Sequence, residues 1–536
     1  MNYAALSYAS LFQATLPETV LEIAALLVLV VDLGFLRKAA LEVRTAVAAV
    51  IGILGCIAAI WAVYAAGWAG FSSGNDLLLA AGGSAAVAQV AILVLTALTL
   101  LLLVDSGYAD SSFTRNAGEY VSVVLMAAAG GLIISGAQDL LVIFVALELL
   151  SLGLYILTAF NKRSGKSAEA AIKYYLFGGM SAAFLLFGFS YLYGLSGSTS
   201  LPRVVLGSYM ASANGGAPLL YIALVMIAAG LGFKIAAFPF HLWAPDTYEG
   251  APTPAAAFIA SVSKVASFAL LISISHAILW WPAMLHMTGG RVALTTYHAG
   301  APLPHITPGL VTVWPMILMD LSVLSMVFGN LAALAQSSVR RLLAYSAIAH
   351  AGYILLGLAF FSWSNASAQA VLYYSVTYGL TTIGAFGVVG VVERATGSDK
   401  LDSFLGLQKR NPLLAAVLLV LFLSLAGIPP LVGFWAKFNL FAAVLGLGYK
   451  GKMPLTSLPT ESLTLVAVAI AFSAVSLYYY LQVLKRAYVM PSTDESPIRA
   501  HPVTLAVLIA IAAAVLLLGC FPGLLENWIS GFYLPM

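Results

Sequence analysis

Hydrophobic residues occupy long, nearly uninterrupted runs along the chain, and polar residues cluster between the runs. A helix needs roughly 20 apolar residues to cross a bilayer core of about 30 Å. The longest connection, 282–309, is rich in Gly and Pro and is predicted to lie outside the membrane. The pattern predicts about fourteen membrane-spanning helices, numbered here in chain order: 17–36, 45–66, 84–104, 119–136, 139–160, 168–195, 218–240, 253–281, 310–336, 342–361, 367–393, 411–446, 462–489 and 503–521.

The composition indicates the same class of protein. Of the 536 residues, 62% are hydrophobic and only 8% are charged, whereas soluble domains carry about 25% charged residues. We therefore expect an all-α, polytopic membrane protein with a single membrane domain over 1–536. The net charge of +3 gives no reason to expect nucleic acid as a partner. Cys56 and Cys520 lie far apart in apolar runs and are expected to be buried thiols.

The basic residues are distributed unevenly among the connections. Of the 24 Lys and Arg, sixteen follow odd-numbered predicted helices and four follow even-numbered ones. Because basic connections stay on the cytoplasmic side, this asymmetry predicts that both termini lie outside the cell membrane. The remaining four lie inside predicted spans: Lys173, Lys234, Lys264 and Lys437.

Charged groups inside spans are costly, at about 3 kcal/mol each on insertion scales. Glu148 is the carboxylate placed deepest in an otherwise apolar run, LLVIFVALELLSLGLYIL. Desolvation brings the proton affinities of buried carboxylates and buried amines closer together, so a row of such groups can pass protons. The sequence shows no nucleophile–base motif or metal-ligand cluster, which argues against hydrolytic catalysis.

A structural role stands beside the functional one for several of these residues. Glu169 precedes Lys173 by four residues, the spacing of a helical ion pair. Lys264 has only serines as polar neighbours along its helix, and serines also favour close helix packing. His350 can equally be a hydrogen-bonded core residue. Helix packing or an interfacial position is the favoured interpretation for Asp320 and Glu22.

Two predicted helices are interrupted near a lysine. In AAGLGFKIAAFPFHLW, residues 228–243, Pro239 has no N–H, so the carbonyl of Ile235 loses its helical partner next to Lys234. In LSLAGIPPLVGFWAKFNLF, residues 423–441, Gly and Pro residues precede Lys437. Unwound backbone at membrane depth is tolerated only inside protein or beside a water-filled cavity.

The order of these breaks predicts two inverted repeats. Interrupted helices at corresponding positions of two halves are typical of transporters built from repeats. Helices four to eight, 119–281, would match helices nine to thirteen, 310–489, with 503–521 as the last helix. On this alignment Glu148 corresponds to His350, and Lys234 corresponds to Lys437.

Several segments resemble a known family closely. They are ALELLSLGLYILTAF, EAAIKYYLFGG, GLGFKIAAFPFHLWAPDTYEGAPTPAAAFIASVSKVASF, NLAALAQSSVRRLLAYSAIAHAGYILLG and LAGIPPLVGFWAKF. The resemblance is to the antiporter-like membrane subunits of respiratory complex I, the proton-pumping NADH:quinone oxidoreductase, and it covers predicted helices three to thirteen. Within that family the pattern is most similar to the subunit N type, since the expected glutamate of subunit M is Lys437 and the lateral helix of subunit L is not seen.

The resemblance implies roles in proton transfer for six residues: Glu148, Lys173, Lys234, Lys264, His350 and Lys437. Protons would enter from the cytoplasm near Lys234, pass a central Lys264 and leave through Lys437. His350 would connect the centre to the exit. Separation of a Glu148–Lys173 charge pair would trigger the transfer.

The resemblance also implies partners and a location. It places no redox cofactor in this chain, because flavin, iron–sulfur clusters and quinone belong to partner subunits. The partners would be other membrane subunits of complex I, in the lipid bilayer of a bacterial plasma membrane. Three alternatives stay open: a monovalent cation/proton antiporter subunit of the Mrp type, the equivalent subunit of a membrane-bound hydrogenase, and a non-transporting assembly subunit.

Overall fold

The computed structural model describes residues 12–66, 71–73, 76–80, 82–103, 116–287, 309–360, 365–446, 460–492 and 496–532, and most of them are helical. The first part of the chain forms α1 (Leu16–Gly34), α2 (Leu41–Ala66), α3 (Gly83–Leu103), α4 (Ala117–Gly136), α5 (Leu140–Thr158), α6 (Gly165–Ser196), α7 (Leu201–Ala211), α8 (Ala217–Ile235), α9 (Trp243–Gly250) and α10 (Thr253–Met287). A π-helical turn, Ser212–Gly216, joins α7 to α8.

The second part forms α11 (Gly309–Leu334), α12 (Val339–Ala359), α13 (Asn365–Thr396), α14 (Leu407–Arg410), α15 (Pro412–Ala426), α16 (Val432–Val444), α17 (Thr460–Tyr488), α18 (Pro502–Cys520) and α19 (Gly523–Gly531), with a 3-10 turn at Leu401–Phe404. The sequence pattern had not predicted the small antiparallel hairpin between α2 and α3. It consists of β1 (Phe71–Ser73) and β2 (Asp76–Leu79), paired with Ser72 opposite Leu77.

The all-α, polytopic architecture is confirmed, but the count of about fourteen spans is not. Within the described residues, twelve helices are long and apolar enough to cross a membrane. The first predicted span is α1, which carries Glu18, Glu22 and Asp32, and the twelfth is divided into the shorter helices α15 and α16. The helix α10 continues past 281 to Met287, so the predicted connection 282–309 begins as helix, and its remainder, 288–308, lies outside the described residues.

Local sequence sets where several helices begin. Asp139 accepts hydrogen bonds from the backbone N–H groups of Leu141 and Val142 at the start of α5. Ser338 caps α12 in the same way, and Asn411 caps α15. Such caps satisfy backbone donors that have no partner within the helix. They fix the ends of the three helices that carry or flank the buried charges.

The centre of the molecule is formed by α10, α12 and α13, which are buried almost throughout. The helix α10 packs along α13, and α11 packs along α12. By contrast, α6 and α17 have mostly exposed surfaces within this chain. Lys264 on α10 and His350 on α12 therefore lie in the interior of the protein, whereas Lys173 on α6 lies near its surface.

An ion pair joins the first two helices. Arg44 at the start of α2 donates from Nε to Oδ1 of Asp32 and from its Nη2 to Oδ2, both at 2.7 Å. Asp32 is only 2% exposed, and a Cβ on Gly118 of α4 would overlap its carboxylate. Two parallel hydrogen bonds of this kind are among the stronger polar contacts in proteins. The pair therefore fixes α1 and α2 against α4.

Both predicted breaks are confirmed. The helix α8 ends at Ile235, where Ala236 has a left-handed φ of 57°, and helix resumes at Trp243. In the second break, α15 ends at Ala426, and Gly427 has a φ of 89°. Left-handed backbone ends a right-handed helix, and glycine adopts it without the steric cost that a Cβ carries.

Candidate functional site

The first group of the candidate site lies between α5 and the end of α8. Lys234, 8% exposed, donates a hydrogen bond from Nζ to Oγ of Ser151 at 2.6 Å. Its Nζ also lies 3.7 Å from Oε1 of Glu148. Glu148 and Ser151 share one face of α5 because they are three residues apart. Lys234 thus has a neutral hydroxyl and a carboxylate as neighbours, and the carboxylate lies at a partly exposed edge of this chain.

The second group fills the break after α8. Nζ of Lys264 donates to the carbonyl oxygen of Ile235. Ile235 is the residue whose carbonyl has no helical partner because Pro239 lacks an N–H. Within the break, the N–H of Phe238 donates to Oγ of Ser325 at 2.9 Å. This hydrogen bond places the Lys264 amine at Ile235, the residue that follows Lys234.

The second break is built on the same principle. Pro430 leaves the carbonyl of Ala426 without its helical partner, and Nζ of Lys437 donates to that oxygen at 2.9 Å. Lys437 Nζ also donates to Oγ of Ser473 on α17 at 2.8 Å. The predicted correspondence of Lys234 with Lys437 follows chain order. The hydrogen bonds give a different correspondence: Lys437 donates to the free carbonyl at the second break, as Lys264 does at the first.

Lys173 does not contact Glu148. Its Nζ lies 2.7 Å from Oε1 of Glu169, the partner that the helical spacing predicts, and 2.7 Å from Oδ2 of Asp246. The Glu148–Lys173 pair implied by the family resemblance is therefore absent from this structure, and Glu148 lies beside Lys234 instead. The reason is geometric: the partly exposed side chain of Lys173 is held by carboxylates at the surface end of α6 and α9.

A cluster of ion pairs around α9 was not singled out by sequence reasoning. Asp246 and Glu249 each accept from Nη1 of Arg341 on α12, at 2.7 and 3.0 Å. Glu249 also accepts from Lys166 of α6 at 3.0 Å. We name Lys166, Glu169, Lys173, Asp246, Glu249 and Arg341 the α9 cluster. Two acidic residues three apart on a short helix just after a break were the available signal.

Partial burial disfavours ionisation of the two α9 carboxylates, but their hydrogen bonds outweigh it. For Asp246, donation from Lys173 and Arg341 holds the pKa below its ordinary value. For Glu249, burial raises the pKa, but hydrogen bonds from Lys166 and Arg341 lower it by more, so its pKa also lies below its ordinary value. Both groups are therefore ionised at neutral pH. The cluster joins α9 to α6 on one side and to α12 on the other.

His350 lies in a buried hydrogen-bond network. Its Nδ1 is 2.8 Å from the Tyr374 hydroxyl, and its Nε2 is 3.4 Å from the Tyr480 hydroxyl. Tyr480 is also hydrogen-bonded to Ser346, one turn before His350 on α12. His350 is thus a hydrogen-bonded core histidine, and both its nitrogens contact groups that can exchange protons.

Other predicted residues lie away from these groups. Asp320 is exposed on α11 and Glu22 is half-buried on α1. Cys56 is buried as predicted, but Cys520 is exposed because it lies at the end of α18, so that expectation was wrong for Cys520. Across the described residues, no group of three His, Cys, Asp or Glu side chains could hold a metal ion.

Comparison with known proteins identifies the family. A family model described as NADH:quinone oxidoreductase/Mrp antiporter, transmembrane, matches residues 137–299 and 301–453. The chain belongs to this family. Among the curated members, NADH-quinone oxidoreductase subunit N 2 of Acidobacterium capsulatum is 46% identical over 98% of this chain and 99% of the relative. NADH-quinone oxidoreductase subunit N 1 of Roseiflexus castenholzii is 38% identical over 80% of this chain and 76% of the relative.

Two solved structures have the same fold. A chain of respiratory complex I from Thermus thermophilus with bound Aureothin is 33% identical, with a TM-score of 0.71, over 95% of this chain and 98% of that one. A chain of the Mrp complex from Dietzia sp. has a TM-score of 0.72 at 20% identity, over 97% of this chain and 51% of that one, which shows a shared fold alone. The resemblance to antiporter-like subunits of complex I is thereby confirmed.

Proposed function

We propose that this chain is a proton-translocating membrane subunit of an NADH:quinone oxidoreductase. The names of its relatives, up to 46% identical across nearly the whole chain, support this function. The observation that carries it is the pair of broken helices, each of which offers a freed backbone carbonyl to a buried lysine amine. Such bonds hold ionisable groups inside the membrane where they can exchange protons at modest cost.

The proposed route joins four buried ionisable groups in the order Lys234, Lys264, His350 and Lys437. A proton is taken up near Lys234, whose amine is bonded to Ser151 and attracted by Glu148. It passes to Lys264, whose amine is anchored at the carbonyl next to Lys234. It then continues through His350 to Lys437. Each transfer neutralises one group as it charges the next, so only one additional buried charge has to be stabilised at a time.

Glu148 is the proposed trigger in partnership with Lys234. Two unit charges 3.7 Å apart attract each other by about 4 kcal/mol at an effective dielectric of about 20. Movement of Glu148 away from Lys234 removes much of this attraction and favours release of the proton toward Lys264. Lys173 takes a positioning role instead, since it joins α6 to α9 just after the break.

We further propose the orientation and the setting. The basic connections face the cytoplasm, both termini lie on the outer side of a bacterial plasma membrane, and the two repeats are 119–281 and 310–489. Uptake near Lys234 is then from the cytoplasm, and Lys437 releases protons outward. Flavin, iron–sulfur clusters and quinone belong to partner subunits, and this chain carries out no redox chemistry. Its partners are other membrane subunits of the complex.

The decisive experiment removes the first amine. The complex carrying Lys234→Ala is reconstituted in proteoliposomes, and proton pumping per NADH and NADH:quinone activity are measured. Exposed Lys409→Ala serves as the matched control, since it also removes one positive charge. We expect pumping to be lost in the Lys234 variant and retained in the control. If Lys234→Ala leaves both activities unchanged, the proposed function is wrong.

The description of the matching family, which names Mrp antiporters beside NADH:quinone oxidoreductases, supports a second candidate, a monovalent cation/proton antiporter subunit. Vesicles that contain this chain and its native partners, but no NADH dehydrogenase, distinguish the two. A sodium-dependent pH change in such vesicles would support the antiporter. Proton movement that requires NADH supports the subunit of an NADH:quinone oxidoreductase.

A further inference from the structure

One aromatic ring lies beside both His350 and Lys437. The Tyr353 ring lies edge-on to His350 at a centroid distance of 5.9 Å, and Nζ of Lys437 lies 5.3 Å from the centroid of the same ring. The Tyr353 hydroxyl is directed elsewhere and accepts a hydrogen bond from Asn330 at 3.1 Å. The carbon atoms of an aromatic ring neither accept nor release protons near neutral pH. The Tyr353 ring therefore contacts both groups without offering a proton carrier between them.

The helix α17 supplies polar groups around this ring. Ser473, Ser476 and Tyr480 are spaced three and four residues apart and so share one helical face. Tyr480 contacts Nε2 of His350 at 3.4 Å, and Ser473 accepts from Nζ of Lys437 at 2.8 Å. The two ends of this face thus contact His350 and Lys437, the two groups that the Tyr353 ring touches but cannot connect.

The contacts of His350 orient it toward this face. Tyr374 holds Nδ1 at 2.8 Å, so Nε2 is the nitrogen directed at Tyr480. Ser346 in turn is hydrogen-bonded to the Tyr480 hydroxyl and fixes its oxygen. Tyr480 has no exposed surface, and Ser476 is almost as deeply buried. A buried phenol with its oxygen shared between a histidine and a serine is arranged for proton exchange, since it can accept and donate at the same oxygen.

We propose that the Tyr480 hydroxyl is the proton relay between His350 and Lys437, and that the relay runs along the polar face of α17. This proposal rests on the proposed function and deepens it, because it names a catalytic residue of the second half of the route. Lys437, Ser473 and the Ala426 carbonyl form its receiving end.

The transfer is balanced at every atom. Protonated His350 gives its Nε2 proton to Oη of Tyr480 while Tyr480 passes its own hydroxyl proton onward, so the phenol stays neutral. Ser473 and Tyr480 are about 10 Å apart along the helix axis. Because side chains lean toward the N-terminus of their helix, Tyr480 extends toward Ser476. The Ser476 hydroxyl donates to the carbonyl oxygen of Ser473 at 2.6 Å, so on the proposed path it rotates, accepts a proton from the Tyr480 side and passes its own proton through bridging water to the Ser473 hydroxyl. The neutral amine of Lys437 takes the proton from Ser473 and becomes an ammonium.

The neighbouring residue provides a matched control. Tyr479 is almost as deeply buried as Tyr480, and its hydroxyl donates to Oδ1 of Asn330 at 3.1 Å. It also interacts with Tyr480 and Ser346, so it belongs to the same network, but the hydroxyls that contact the His350 nitrogens are those of Tyr374 and Tyr480. The Tyr480 ring packs edge-on against Phe422 at 5.6 Å and beside Tyr479 at 4.6 Å, contacts that phenylalanine retains. Tyr480→Phe and Tyr479→Phe each remove one buried hydroxyl from one helix, and only the first loses the contact with His350.

The experiment compares both variants with the native complex in proteoliposomes. Assembly is measured on native gels, and NADH-driven proton pumping is expressed per assembled complex. We expect Tyr480→Phe to assemble and to pump at least about tenfold more slowly, because a positioned proton-transfer group typically contributes about 100-fold or more, while Tyr479→Phe stays within about twofold. A Tyr480→His variant, which restores a nitrogen able to carry a proton, is expected to recover part of the rate.

The outcomes separate the relay from the broader proposal. Equal losses in the two phenylalanine variants, or native pumping in Tyr480→Phe, overturn the relay. If Tyr480→Phe does not assemble, the Tyr480→His variant is used for the test instead. Assembled Tyr480→His complex that pumps at less than about one tenth of the native rate then counts against the relay, because a restored proton carrier should avoid so large a loss. Lys234→Ala is measured in parallel. If Lys234→Ala pumps normally, the proposed function is overturned. If Lys234→Ala loses pumping while Tyr480→Phe pumps at the native rate, only the relay is overturned.

Discussion

The contact between Glu148 and Lys234 gives the sharpest quantitative prediction. In Glu148→Gln the side chain keeps its size and loses its charge. At 3.7 Å the lost attraction to protonated Lys234 is about 4 kcal/mol at an effective dielectric of about 20, roughly a thousandfold in an equilibrium constant. Two features reduce this figure: the Glu148 side chain is 28% exposed, and Lys234 keeps its bond to Ser151 at 2.6 Å. We therefore expect proton pumping to fall about tenfold to a hundredfold.

The assay is NADH-driven proton uptake by proteoliposomes, expressed per assembled complex. Glu22→Gln is the matched control, because Glu22 is a half-buried carboxylate on α1, a helix that does not carry the proposed route. If Glu148→Gln pumps within about twofold of the native complex while Lys234→Ala is inactive, the electrostatic argument for Glu148 is refuted.

Two further predictions concern the ion pairs that fix the helices. Arg44→Met leaves the Asp32 carboxylate buried without its partner, which typically costs about 3–5 kcal/mol, so the thermal midpoint of the purified complex should fall. Adding Asp32→Asn removes the unpaired charge and should recover part of the lost midpoint. A double variant that is less stable than Arg44→Met would contradict this prediction. The pKa of Asp246 is held below its ordinary value, so its charge stabilises the fold above that ordinary pKa, and the contribution is lost as the pH falls through about 4 and below. The difference in thermal midpoint between the native complex and Asp246→Asn should therefore shrink between about pH 7 and pH 3.5, and a constant difference would show that the Asp246 charge does not stabilise the fold.

Local patterns in the sequence predicted much of the candidate site. The paucity of charged residues predicted a membrane protein, and the lysines left inside apolar runs proved to be buried at positions 234, 264 and 437. Pro239 and the Gly–Pro segment before Lys437 predicted the two breaks, because a missing N–H acts on a carbonyl four residues away in the same helix. The Glu169–Lys173 pair was predicted for the same reason, since both residues lie on one helical face.

Contacts between distant segments could not be predicted in this way. Lys173 also pairs with Asp246, which is far along the chain, and the resemblance-based pairing with Glu148 was wrong for this structure. The α9 cluster went unrecognised because its six charges come from three separate helices. Apart from Glu169 and Lys173, which pair within α6, its residues pair only after α6 and α12 have packed on either side of α9.

The sequence by itself determined that this chain spans a membrane, where its helices break, and that the carbonyl of Ile235 is left without its helical partner. Those properties follow from hydrophobicity and from backbone chemistry within a few residues. Only the tertiary structure decided which amine donates to the free carbonyl at each break. At the first break the donor is Lys264 of α10, and at the second it is Lys437 of α16, the helix that follows the break. A freed carbonyl accepts whichever buried donor helix packing brings to it, and that packing depends on residues throughout the chain.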